Sequence, residues 1–192
     1  PGRVHWRLTA RTGTLTVRDP ERTAASSVTV YVDTGSGTDM SLESAVRLAA
    51  SMVQEAVALE LPVAVALPGS VSPVGTGAAA VQGALYLLAR AALVPGEPSI
   101  PPTRAGGNLF ILTIRPSAAL ITQAMRARAH ASRVVIVALP DGYYLEPGES
   151  PRRQWAGLPD AVRDLERQAG ALAGAGILVY ILRGNQSVLQ LG

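Results

Sequence analysis

The chain contains no cysteine and no lysine among its 192 residues, and aromatic side chains make up only 4% of it. The first absence removes disulfides, thiolate metal sites and cysteine nucleophiles together. The second removes a Walker-type phosphate loop, which must end in Gly-Lys-Ser/Thr. Scarce aromatics argue against a sandwich built on large cross-strand rings, whereas abundant Ala, Val, Leu and Gly suit interleaved helices and buried strands. No apolar run reaches the ~20 clean residues of a membrane span. Segments 56–67 and 78–94 are interrupted by Glu60 with Pro62 and by Gln82 with Arg90. The formal net charge is only +3 with all seventeen basic residues arginine, and no basic stripe interleaves with aromatics, so nucleic acid is not an expected partner. The chain starts at Pro1 without a charged or apolar leader and reads as a fragment of a longer protein.

What is present is a 48% hydrophobic composition, enough for one core, and an alternation of strand and helix signals. Thr14-Leu-Thr-Val17 alternates polar and apolar, and Asp19-Pro-Glu-Arg22 is a natural turn, so residues 1–27 are expected to form a β-hairpin arm packed on a domain of residues 28–192. Val28 to Val32 is β-branched and aromatic, a buried strand. Leu42, Ala45, Val46, Ala49, Met52, Val53, Ala56 and Val57 recur at helical spacing, predicting a helix over 42–60 with Ser41 as its cap and Glu43–Arg47 as an i,i+4 pair.

Pro62 stops that helix, and 63–67 follows as a strand closed by Pro68-Gly69. The same logic predicts a helix over 76–93, an exposed Pro/Gly-rich loop over 95–108, a helix over 117–129 and a strand over 133–139. Residues 109–114 fit a strand or the lead into the next helix, and the strand is preferred. A helix over 160–173 begins after Pro159, a strand covers 177–182, and Gly184-Asn185 turns the chain into a terminal antiparallel strand over 187–191. The expected fold is α/β, a mostly parallel Rossmann-like sheet with helices on both faces.

The most informative run is Val28-Thr-Val-Tyr-Val-Asp33-Thr-Gly-Ser-Gly37, which leaves a lone carboxylate at the carboxyl end of a strand, where ligands of open α/β sheets collect. A second carboxylate, Asp141 in Leu139-Pro-Asp-Gly142, follows another strand. Right-handed crossovers bring both loops to one edge, and the two carboxylates become neighbours if their strands are adjacent. Asp33-Thr-Gly-Ser spells the aspartic-protease signature, but that chemistry needs a second Asp-Thr-Gly sharing a proton, and none exists. The same letters imitate the phosphate loop of actin-like kinases, which joins antiparallel strands instead of feeding a helix. His5 and His130 lack clustered ligands, and no serine sits in a nucleophile elbow. Arg126, Arg128 and Arg133 suit either a basic rim or a solvated helix end.

A strand ending in Asp with a small-residue loop running into a helix resembles the metal-ion-dependent adhesion site of von Willebrand factor A domains. There an Asp-x-Ser-x-Ser loop, a distant Thr and a distant Asp hold Mg²⁺ or Mn²⁺, hard ions that take oxygen ligands. Asp33 falls on the first Asp and Asp141 resembles the distant one. The two serines fall on Gly35 and Gly37, while Ser36 and Thr38 lie one step out of phase. The resemblance implies a degenerate site with no cofactor. The alternative is weak Mg²⁺ or Mn²⁺ held by Asp33, Ser36 and Asp141, which would permit a metal-assisted hydrolase using Asp33 and Asp141. The plainer reading of the residues is that Asp33 caps a helix and accepts loop N–H groups while Asp141 serves its turn.

The run His5-Trp6-Arg7-Leu-Thr-Ala-Arg11-Thr-Gly13, with Leu15-Thr-Val17 and Val30-Tyr-Val-Asp33, resembles the bacterial family catalogued as domain of unknown function fifty-eight. Trp6, Arg7, Arg11 and Gly13 carry the motif, and His5 stands where many members have Asp. The resemblance covers roughly residues 4–182 and implies a cytoplasmic domain of a membrane-anchored protein, working with a MoxR-type AAA+ ATPase and without catalysis. The expected role is protein binding at the sheet edge through Ser36, Thr38, Met40, Asp141, Tyr143 and Tyr144, whose tyrosines supply contact area.

Overall fold

The structure, a computed structural model, describes residues 27–103, 105–139 and 160–182, together with the backbone of residues 3–4 and 17–18. Those two short pieces, β1 (Arg3–Val4) and β2 (Val17–Arg18), pair antiparallel with Val4 opposite Val17. The rest of the arm, including Trp6, Arg7, Arg11 and Gly13, lies outside the described residues, as do Asp141, Tyr143, Tyr144 and the expected strand over 187–191.

The described residues from 27 to 182 build an α/β layered domain. The element order is β3 (Val28–Val32), α1 (Asp39–Ala58), β4 (Val63–Leu67), β5 (Ser70–Val71), α2 (Ala78–Ala89), β6 (Asn108–Thr113), α3 (Ala118–Ala127), β7 (Arg133–Ala138), α4 (Asp160–Gly174) and β8 (Ile177–Ile181). The sheet runs β5-β4-β3-β6-β7-β8, and every neighbouring pair is parallel except β5 with β4. Strand alternation sorts side chains to two cores. Val30, Val32, Val65, Leu112, Val135 and Val137 face α1 and α2, whereas Tyr31, Leu109, Ile111, Val134 and Ile136 face α3 and α4. Both faces are covered, which is why the strands read as continuous apolar runs and not as half-polar ones.

Several expected boundaries shift for identifiable reasons. The first helix starts at Asp39, and its N-cap is Thr38 instead of Ser41. The Thr38 hydroxyl accepts the Ser41 N–H at 3.2 Å while Ser41 Oγ accepts the Thr38 N–H at 2.8 Å, so Ser41 is the reciprocal member of a capping box. The second helix ends at Ala89, because the chain beyond Arg90 turns away to engage the loop after β3. Residues 70–71 form a small antiparallel strand that its two-residue length hid, with Gly69 at φ +77° supplying the turn. Among the arginines expected at a basic rim, Arg128 donates from Nη1 to the Ala131 carbonyl at 2.8 Å and lies against Gly176.

Candidate functional site at the carboxyl edge of the sheet

The chain leaves β3 toward the α1 face and leaves β6 toward the α3 face, so the crossovers diverge between these two neighbouring strands. Such a divergence opens a crevice beyond the strand ends, the usual ligand position in open α/β sheets. Asp33 and Thr113 stand at its two sides, one at the end of each strand. The strand that precedes Asp141 is β7, and β6 lies between it and β3. The carboxylate-bearing strands are therefore not adjacent. Crossover direction, which the sequence does not encode locally, inserted β6 between them.

Asp33 is 5% exposed and Thr113 is fully buried. The Thr113 hydroxyl donates to Asp33 Oδ2 at 2.9 Å, and the Gly35 N–H donates to Oδ1 at 3.2 Å. Asp33 also extends the sheet, since its own N–H donates to the Leu112 carbonyl at 2.9 Å. It does not cap α1, a task that Thr38 performs. Burial raises the Asp33 carboxyl above its ordinary value, against the hydrogen bonds from Gly35 and Thr113 that favour the charged form. Removal from water outweighs two donors.

The segment after α2 crosses the loop that follows Asp33. The Val94 N–H donates to the Thr34 carbonyl at 3.0 Å, and the Gly96 carbonyl oxygen would lie 3.0 Å from a Cβ at residue 35. Further along, the Ser99 N–H donates to the Tyr31 hydroxyl at 3.0 Å, the Ile100 N–H donates to Gln123 Oε1 at 2.9 Å, and Gln123 Nε2 donates to the Pro98 carbonyl. Residues 94–100 are thus a strap that passes from the α1 face to the α3 face over the Asp33 loop. Burial pushes the Tyr31 hydroxyl up to about 12, opposed by the Ser99 hydrogen bond and reinforced by the nearby Asp33 charge. Tyr31→Phe deletes the acceptor for the Ser99 N–H and is expected to cost about 1 kcal/mol, because Ser99 is exposed enough for water to replace part of the bond. Faster amide exchange at Ser99 with little change at Ile111 would register the loosening, and unchanged exchange at Ser99 would contradict the strap.

Asp141, the expected distant ligand, lies outside the described residues, and at Asp33 the rest of the adhesion-site pattern is only partly present. Both carboxylate oxygens already accept hydrogen bonds, and the serine positions of the adhesion-site pattern are Gly35 and Gly37. A Cβ at residue 37 would lie 2.8 Å from Ile114 Cδ1 and 2.9 Å from Ser41 Oγ, and residue 37 has φ +122°. No group of three or more His, Asp or Glu gathers among the described residues. Of the edge residues expected to meet a partner, Thr38 and Met40 are exposed, Met40 by 62%, and Ser36 is partly exposed. Val94, 59% exposed, joins the same edge and was not foreseen. Its position depends on a backbone hydrogen bond, which no side-chain pattern advertises.

These features define a class: a Rossmann-like α/β domain with a six-stranded, mostly parallel sheet flanked by helices, consistent with a von Willebrand A-type arrangement. No family model matches the chain, and no curated protein matches it. Among the described residues no helix is long and apolar enough to cross a membrane.

Proposed function

We propose that this domain binds a protein partner through the rim of its carboxyl edge and carries out no chemistry at Asp33. The observation that supports this reading is the burial of the carboxylate placed where a ligand would be held, which accepts the Thr113 hydroxyl beneath a strap of the chain's own backbone. Around that carboxylate the rim offers Thr38, Met40 and Val94, a mixed polar and apolar surface of the kind that protein contacts use.

Similarity of the segment from Trp6 to Val17 to domain of unknown function fifty-eight proteins makes a MoxR-type AAA+ ATPase the partner of choice, with the domain on the cytoplasmic side of a membrane-anchored parent. The test is capture of a purified MoxR-type ATPase by the immobilised domain. Asp141→Ala or Tyr143→Ala is expected to weaken capture by roughly tenfold, about 1.4 kcal/mol. Arg163→Ala, on the exposed side of α4, leaves capture intact. Capture that survives both edge substitutions rejects this face, and phosphoester turnover lost in Asp33→Ala would favour the metal-assisted hydrolase.

A further inference from the structure

Between Glu97 and Asp141 the sequence holds five arginines and no carboxylate. Arg115 follows β6 at the carboxyl edge, but the end of α3 and the turn into β7 carry Arg126, Arg128 and Arg133 to the opposite, amino edge of the sheet. Backbone contacts fix that placement. Arg133 lies opposite Asn108, the first residue of β6, the Gly106 N–H donates to the His130 carbonyl at 3.0 Å, and the Ser132 N–H donates to the Gly107 carbonyl at 2.8 Å. Arg128 is drawn inward against Gly176, whereas Arg126, His130 and Arg133 are exposed.

Elsewhere on the described surface the arginines are engaged. Arg47 pairs with Glu43, Arg163 with Asp160 and Arg167 with Asp164, Arg90 lies over the Tyr86 ring, and Arg115 has a partner too. Neither Arg126 nor Arg133 makes an ion pair among the described residues. A helix C-terminus favours a cation, which accounts for Arg126. It does not account for Arg133, which opens a strand. The neighbouring stretch 168–182, which ends α4 and forms β8, carries no charge. Glu55 and Glu60, at the end of α1, reach this edge beside β4, three strands from β7.

The rest of the face selects the partner. Around the cations the exposed residues are small, Ala105, Gly106, Ala129, Ser132 and Ala175. None of them supplies the aromatic or aliphatic anchor on which a specific protein interface depends, and none offers a ring for a base to stack on. A low cationic face without those features suits a partner whose negative charge is spread over a surface, as in an anionic bilayer. Met125, 51% exposed beside Arg126, adds an apolar side chain at its margin.

We propose that the amino edge of the sheet around Arg126 and Arg133 lies against an anionic lipid bilayer, with the two guanidinium groups on headgroup phosphates and carboxylates. This face is at the opposite ends of the strands from the rim around Asp33, and it stands whether or not that rim binds a protein.

The test is sedimentation of the whole domain with vesicles of mixed phosphatidylserine and phosphatidylcholine, against vesicles of phosphatidylcholine alone. Two arginines near such a surface are expected to give roughly thirtyfold stronger partitioning onto the anionic vesicles, fading as salt rises. Arg126→Gln combined with Arg133→Gln is expected to remove that preference. Arg163→Gln combined with Arg167→Gln, which lowers the net charge equally at exposed positions of α4, is expected to keep it. Equal partitioning of the parent onto both vesicles overturns the proposal. So does a preference that survives the Arg126 and Arg133 substitutions, or one that both double variants lose equally, which would reflect net charge alone. Polyglutamate or a single-stranded oligonucleotide that displaces the anionic vesicles, through binding lost in the Arg126 and Arg133 variant, assigns the face to an acidic protein or to nucleic acid and equally overturns the proposal.

Discussion

Gly37→Ser is expected to lower the unfolding free energy by about 3 kcal/mol, the sum of a strained backbone and an overfilled contact. Residue 37 sits at φ +122°, where glycine alone is comfortable, and any Cβ there meets Ile114 Cδ1 at 2.8 Å and Ser41 Oγ at 2.9 Å. Neither neighbour yields cheaply. Ile114 is fully buried, and Ser41 Oγ is committed to the capping box of α1. The substitution writes in a serine of the adhesion-site pattern, so it also asks whether the loop has room for that pattern. Gly35→Ser, whose Cβ would lie 3.0 Å from the Gly96 carbonyl oxygen without a positive φ, should be milder, about 1 kcal/mol. Urea denaturation of the two variants checks the order. A Gly37→Ser protein as stable as the parent would mean that the loop is open.

Thr113→Val is the second large effect, expected at about 2–3 kcal/mol near neutral pH, because it strips a donor from a buried carboxylate. The dependence on pH has a definite sign. Burial raises the folded Asp33 carboxyl above the ordinary 3.8, so the folded state holds this proton more tightly than the unfolded chain does. The contribution of Asp33 to stability is therefore greatest below the ordinary value and is lost as pH climbs through the raised one. Removing the Thr113 donor raises that value further, so the cost of Thr113→Val grows with pH across this window and shrinks in acid. Asp33→Asn keeps an acceptor for the Thr113 hydroxyl without a charge. It is expected to match or exceed the parent near neutral pH and to lose that advantage in acid. Denaturation midpoints of the three proteins at several pH values measure all of this, and a Thr113→Val cost that falls as pH rises would contradict it.

The parallel sheet was legible because β-branched runs such as Val28 to Val32 and Arg133 to Ala138 are bounded by turn residues and separated by helical stripes. Length decided where that failed. A two-residue strand at Ser70–Val71 carries no periodicity to read. The cap moved from Ser41 to Thr38 because the helix begins at Asp39, three residues before the first residue of its apolar stripe, and the Thr38 hydroxyl there accepts the Ser41 N–H. Asp33 announced itself as a carboxylate at a strand end, but its partner did not. Thr113 lies 80 positions away on a strand whose place beside β3 follows from crossover direction. The exposed loop after α2 was legible from its prolines and glycines, and residues 95–97 and 99 are exposed, but its ties to the Asp33 loop and Tyr31 were not, since they run through the backbone N–H groups of Val94 and Ser99. Backbone groups are the same at every residue, so no side-chain pattern encodes them.

If Asp33 is a latch that holds the β3 loop to β6 rather than an open cation ligand, then calorimetric titration with Mn²⁺ is its most direct test. The account predicts no saturable heat up to millimolar metal, for the parent and for Asp33→Ala alike. A saturable isotherm in the parent that vanishes in Asp33→Ala would contradict it.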